Sequence, residues 1–178
     1  MNNLLKLPPL SLYIHYPWCL KKCPYCDFNS HDSEVQEGYI NALLRDLDED
    51  LQYVQERKIN SIFIGGGTPS LMSVKDVSDL FIGLNDRLEF SPNIEITLEA
   101  NPGTFEVERF AEYRNVGINR LSIGVQSFND EHLKFLGRIH SAKEAQKAIL
   151  KAQSVGFNNI NIDLMYGLKG QSIDECMN

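Results

Sequence analysis

Along the chain, short blocks of alternating or continuous apolar residues take turns with longer stretches in which apolar residues recur every three or four positions. Leu12 and Ile14 in SLYIHYP predict a strand stopped by Pro17. From Glu34 to Gln55 the apolar positions are Ile40, Leu43, Leu44, Leu47, Leu51 and Val54, one stripe of a helix. A second strand, Ile59 to Ile64, runs into Gly65-Gly66-Gly67-Thr68-Pro69. Ser73 with Asp76 has the spacing of a capping box and opens a helix carrying Val77, Leu80, Phe81, Leu84 and Leu88. Ile94, Ile96 and Leu98 alternate as a third strand that ends at Glu99 and Asn101-Pro102-Gly103. A helix from Val107 to Val116 stops at Gly117, and Leu121, Ile123 and Val125 form the fourth strand. Ser141 with Glu144 opens a further helix ending at Gly156; the fifth strand is Ile160 to Leu164, and a last helix begins near Ser172.

Strand and helix therefore alternate five times, with a faint repeat in INSIFIG (59–65), INRLSIG (118–124) and FNNINID (157–163). Apolar strands joined by helices imply a parallel sheet with helices packed on it. A doubly wound open sheet and a (β/α) barrel both satisfy this pattern, and similarity between successive units favours the barrel. Five units do not close a barrel of eight, so a partial barrel, or the front of a longer one, is expected.

Composition narrows the function. The 178 residues are 43% hydrophobic, 10% aromatic and 23% charged, the profile of one globular domain. A net charge of −7 argues against broad nucleic-acid binding or docking on anionic membranes, which need clustered Lys and Arg. No apolar run approaches the roughly 20 residues that span a bilayer. Met1 to Leu10 lacks the apolar core of a secretory signal, so a cytoplasmic address is expected.

The candidate chemistry lies after the strand ends, where parallel α/β folds build active sites. Polar turns account for most of the Gly, Pro and Asn there. They account less well for Glu99 and Asp163, carboxylates that interrupt apolar strand ends. Cys19, Cys23 and Cys26 crowd one loop, while Cys176 stands alone and reads as an ordinary free thiol. Without a secretory signal the three read as metal ligands rather than disulfide halves. Soft thiolates suit zinc, for which His31 supplies a fourth ligand, or iron–sulfur, in which three cysteines leave one iron of a 4Fe–4S cube open. The triple glycine is no Walker loop, since no Gly-Lys-Ser/Thr follows it.

The segment Cys19-Leu-Lys-Lys-Cys23-Pro-Tyr-Cys26 resembles the signature of radical S-adenosylmethionine (SAM) enzymes. YIHYPWC, KKCPYCDFNS, FIGGGTPS, EANPG, RLSIGVQSF, LGRIH and NIDLMYGLKGQ, in that order between Leu10 and Asp174, are similar to the subfamily of the oxygen-independent coproporphyrinogen III oxidases. Asp27-Phe28 after the third cysteine, where the oxidases carry Gly and Cys, and LGRIH resemble its HemW-like heme-chaperone branch. The resemblance implies a partial (β/α)6 barrel, a truncated radical SAM core domain over residues 1–178, with a 4Fe–4S cluster held by Cys19, Cys23 and Cys26. It implies that Tyr13, Gly66 and Glu99 contact S-adenosyl-L-methionine beside the cluster. Tyr25, Gly67, Thr68, Gln126, Arg138 and Asp163 would line a second nucleotide place. In the oxidases one electron cleaves the cofactor's carbon–sulfur bond, and the resulting radical takes hydrogen from a porphyrinogen propionate. In the chaperones the same equipment supports heme binding and transfer. Implied partners are heme or porphyrinogen, a heme-acceptor protein, and a donor such as flavodoxin or ferredoxin. No catalytic residue is assigned.

Each residue also has an ordinary reading. Tyr13 fits a strand core, Gln126 and Thr68 fit loop caps, and Arg138 fits a surface charge. Trp18 is expected to shield the cysteines, while His15 and His140 receive no role. Family members continue well past residue 178, so the fifth strand is expected to present an exposed edge.

Overall fold

The computed structural model describes residues 7–177; residues 1–6, part of the N-terminal stretch read above for a secretory signal, lie outside the described residues. Five strands carry the fold: β1 (Leu10–Tyr16), β2 (Ile59–Gly66), β3 (Phe90–Ala100), β4 (Arg120–Gln126) and β5 (Ile160–Leu164). They are parallel, and each pairs with the next, giving the order β1-β2-β3-β4-β5. A doubly wound sheet reverses its order at a switch point. This one never reverses, so the winding is that of a barrel segment. β4 pairs Leu121 with Ile160 and Ile123 with Ile162, an offset of 39 that is also the spacing between the second and third copies of the sequence repeat. Repeat-equivalent residues are thus ladder neighbours.

The strands' two faces differ in kind. Ile14, Ile62, Ile64, Leu98, Leu121 and Ile123 are buried beneath the helices. With Val77, Leu80 and Leu84 of α2 (Val74–Asn85), Phe110 and Tyr113 of α4 (Phe110–Asn115), and Ala145, Ala148 and Ala152 of α6 (Ala142–Ser154), they form one core. Period-two alternation puts polar residues on the opposite, concave face. There Ser61 donates to Ser11 (2.8 Å), Asn159 to Glu95 (3.0 Å) and Asn161 to Ser122 (2.9 Å). Complete barrels fill this space with branched apolar side chains; here it is hydrogen-bonded and polar.

The helices start where local chemistry allows. α1 (Tyr39–Val54) begins five residues after the expected Glu34, because Gly38 turns the chain at φ 81°. Ser141 and Glu144 form both halves of a capping box at α6, a device that contributes about 1 kcal/mol. Ser73 caps α2 through the Asp76 N–H, but the Asp76 carboxylate takes the Ser73 hydroxyl instead of closing the box on the backbone.

The single helix expected over 107–116 is two short ones, α3 (Thr104–Glu108) and α4, broken at Arg109. That side chain leaves the helix to donate to the Met72 carbonyl (3.0 Å), and Tyr113 donates to Ser70 and Met72 carbonyls (2.8 and 2.9 Å). Together they satisfy the end of a 3-10 turn, Pro69–Leu71, that follows the glycine loop. α5 (Asp130–Phe135) was not anticipated; Asn129 caps it by accepting from the Glu131 and His132 amides. Asn-Asp-Glu is a start signal legible in the sequence, but the helix is too short to show a period.

α7 (Ile173–Met177) starts at Ser172 as expected. β5 is an outer strand among the described residues, with Leu164 58% exposed. No helix among them is long and apolar enough to cross a membrane.

Candidate functional site

The cysteine loop is tied at its root before any ligand is considered. The His31 N–H donates to the Pro17 carbonyl (2.7 Å) and the Cys19 N–H to the His31 carbonyl (2.9 Å), pinching residues 17–31 into one closed excursion. Lys22 Nζ reaches across it to the carbonyls of Phe28 and Ser30, both at 3.1 Å. The Asn29 carbonyl can only accept, so His15 Nε2 carries the proton that reaches it (2.8 Å) and Nδ1 receives the Tyr13 hydroxyl (2.9 Å). Trp18, expected to shield the cysteines, does not line the cavity that holds them. It is buried against Tyr16 and Tyr39, with ring centres 5.1 and 4.5 Å away, and anchors the root of the loop in the core.

The glycine loop after β2 is sewn to the same root. The Gly67 N–H donates to the Tyr16 carbonyl and the Thr68 N–H to the Trp18 carbonyl, each at 2.7 Å. A Cβ on Gly67 would lie 2.6 Å from the Trp18 oxygen, so only glycine permits this approach. Gly66, at φ 120°, turns its N–H to Glu99 Oε2 (3.1 Å).

A second chain of contacts crosses the ends of β3 and β4. Asn101 donates to the Thr68 hydroxyl (3.2 Å) and accepts from Arg138 Nη2 (2.7 Å). Arg138 Nη2 also donates to the Gly124 carbonyl (2.8 Å), and Nη1 points at the Cys23 sulfur (3.6 Å). Arg138 comes from a turn in which Gly137, at φ 73°, packs against Pro24 of the cysteine loop. Two residues on, His140 donates through Nε2 to the Val125 carbonyl (3.0 Å). These bonds hold the end of β4 where its ladder to β5 is irregular and Gln126 adopts a left-handed φ of 66°. On β5, Asp163 accepts from Asn161 (2.7 Å) and lies near the Ser122 hydroxyl.

The result is a cavity of about 410 Å³ at the C-terminal ends of the strands. It is lined by Cys19, Cys23, Cys26, Tyr25, Gly67, Thr68, Glu99, Gln126, Arg138 and Asp163, residues spread over 145 positions of sequence, from 19 to 163. Two expected residues do not line it. Gly66 acts from behind, through Glu99, and Tyr13 stacks on Phe63 (6.3 Å between centres) while orienting His15. Sequence reasoning placed Asn101 only at a strand end and did not single out Ser122 or Met165, which line the cavity as well. Nothing local marks them; their weight comes from what they touch.

The three cysteines are free and half-buried. Among the described residues, no three His, Cys, Asp or Glu side chains gather around a point as one ion requires, and His31, the fourth ligand of the zinc reading, does not line the cavity. Tetrahedral zinc needs four donors on one centre, whereas a 4Fe–4S cube spreads its thiolates over separate irons. Three free thiols sharing one cavity with the carboxylates Glu99 and Asp163 fit the cube with an open iron.

Burial holds the Glu99 carboxyl above the usual carboxylate range, with Asp163 adding to the shift while the Gly66 N–H and His15 oppose it. The folded protein therefore binds this proton more tightly than the unfolded chain does. Protonated Glu99 favours folding fully below the ordinary carboxylate pKa of about 4.3, and that contribution is lost as pH rises through the higher folded value. Glu99→Gln, which cannot ionise, is expected to match the unaltered protein's melting temperature in acid and to exceed it at neutral pH, in thermal melts without ligand. An advantage that does not grow with pH would contradict the burial cost.

The Radical SAM superfamily model matches residues 13–178. The heme chaperone HemW of Escherichia coli K12 is 54% identical over 177 residues, covering 98% of this chain and 47% of the relative. Its Haemophilus influenzae counterpart is 55% identical, covering 97% and 47%. The solved structure of Escherichia coli coproporphyrinogen III oxidase (HemN), described as a radical SAM enzyme, superposes with a TM-score of 0.79 at 31% identity, over 95% of this chain and 40% of that one. The chain thus spans about half the length of the curated relatives it matches.

Proposed function

The chain belongs to the Radical SAM superfamily, and on that premise we propose that it serves as the cofactor-binding core of a HemW-type heme chaperone. The observation that carries this reading is the single cavity that joins Cys19, Cys23 and Cys26 to Glu99, Gln126, Arg138 and Asp163. The three thiolates would hold a 4Fe–4S cluster, and S-adenosyl-L-methionine would lie beside it. Such a centre supplies one-electron reduction of the bound sulfonium.

Everything else is the work of the chain. Glu99 has one carboxylate oxygen satisfied by the Gly66 N–H and presents the carboxylate to the cavity for an ammonium group or ribose hydroxyls. Tyr13 acts at one remove, by donating to Nδ1 of His15, whose Nε2–H ties down the cysteine loop at Asn29. Gly67 and Thr68 offer a close backbone approach, and Tyr25, Gln126 and Asp163 supply polar walls for a second nucleotide. The exposed Lys21 and Lys22 on a chain of charge −7 give an acidic electron donor, flavodoxin or ferredoxin, a local place to dock at the cysteine loop. A reducing cytoplasm suits three free thiols.

The second reading, oxidative decarboxylation of coproporphyrinogen III, is favoured by the likeness to the oxidase structure. Identity of 54–55% to the chaperones and Asp27-Phe28 after the third cysteine favour heme binding. The test is to offer the anaerobically reconstituted protein hemin and, separately, coproporphyrinogen III with S-adenosyl-L-methionine and reductant. Retained heme with no carbon dioxide released is expected. Turnover of the porphyrinogen would replace the chaperone reading with the oxidase.

A further inference from the structure

The Arg138 guanidinium is held by groups of this chain itself. Both Nη2 N–H bonds are already committed, one to Asn101 Oδ1 (2.7 Å) and one to the Gly124 carbonyl (2.8 Å). Nε is buried and has no hydrogen-bond partner among the described residues. The remaining nitrogen, Nη1, donates to Cys23 Sγ at 3.6 Å. The backbone supports this aim: Gly137 packs on Pro24, the residue after Cys23, so the turn that delivers Arg138 rides on the cysteine loop itself.

We infer that Arg138 is a positioning residue for the cluster ligand Cys23, clamping its sulfur and setting how readily the cluster accepts an electron. The inference rests on the cluster reading above. Reduction adds negative charge to the centre, and a fixed cation with an N–H bond to a ligand sulfur stabilises that charge. Without it the potential falls. The lining also carries Glu99 and Asp163, which act in the opposite sense, and Lys21 and Lys22, which act in the same one; Arg138 is the cation among them that donates to a cysteine sulfur.

The test is a reductive titration with dithionite and redox mediators on reconstituted protein, without S-adenosyl-L-methionine, for the unaltered chain, Arg138→Gln, Arg138→Lys and Asn101→Ala. At a fixed potential the ratio of reduced to oxidised cluster is expected to fall on the order of tenfold in Arg138→Gln, a shift of about 59 mV for one electron. Arg138→Lys is expected to recover part of the shift, and Asn101→Ala to move the ratio the same way by loosening the clamp. Omitting the cofactor matters, because a role confined to binding it leaves this titration unmoved. Loaded clusters with unchanged potentials in all three variants would overturn the inference. Should Arg138→Gln fail to hold a cluster, the lysine and Asn101 variants decide by the same criterion. An unaltered chain that takes up no iron and sulfide would instead sink the parent reading, and the inference with it.

Discussion

Anaerobic reconstitution with iron and sulfide is expected to load about four of each per chain, and Cys19→Ala to abolish that loading. The loop geometry explains why one thiol suffices to break it. Cys19, Cys23 and Cys26 hang on a segment whose root and crossing bonds, from His31, Lys22 and His15, involve backbone carbonyls and no metal. The loop is therefore expected to stay folded in the variant, and two remaining thiols cannot serve three irons. Cys176→Ala is the control, since that thiol is exposed on α7 and does not line the cavity. Iron and sulfide by chemical assay, with the absorbance of the oxidised cluster, read the result. Zinc in place of iron, or retention of the full complement by Cys19→Ala, would overturn the assignment of ligands.

Gly67→Ala is the second large effect. Its methyl would fall 2.6 Å from the Trp18 oxygen and 2.8 Å from the Pro17 carbonyl carbon, and both are backbone atoms at the root of the cysteine loop. Neither atom has a rotamer to change, so the loop or the β2 end must move. Overpacking of this kind costs about 1–3 kcal/mol. The displacement also pulls on the Thr68 amide bond to Trp18, so S-adenosyl-L-methionine affinity is expected to fall about tenfold or more, the equivalent of about 1.4 kcal/mol.

Gly83→Ala is the instructive contrast. Its methyl would come even closer, 2.4 Å, but to the end of the Leu44 side chain, which can swing away, and alanine favours the helix by about 1 kcal/mol. Thermal melts and equilibrium dialysis on the two variants should separate. Equal stability and equal binding in Gly67→Ala would show that the two loops are not locked together.

Much of this architecture was legible because its causes are local. Strand and helix periods, the Ser141–Glu144 box and the glycine stops are read within a few residues of where they act. One boundary that slipped, the start of α1, had a local cause in Gly38; another had a distant one. The break at Arg109 comes from carbonyls at Leu71 and Met72 that draw its side chain out of the helix, 38 and 37 residues away.

The five strand–helix units, the parallel barrel-type winding suggested by the repeat, and the three-cysteine loop that points to a cluster are legible in the chain alone. Periodicity, capping and ligand spacing are properties of neighbouring residues, and no partner from elsewhere is needed to read them. What the remaining polar residues touch emerges only once the strands are assembled. The Tyr13 hydroxyl meets His15, and Trp18 packs on Tyr39 at the root of the cysteine loop. Thr68, Asn101, Arg138 and Cys23 become one hydrogen-bonded chain across separations of 33, 37 and 115 residues. Those contacts depend on the order, register and twist in which successive strand ends meet, and no period along the chain encodes where two strand ends will point.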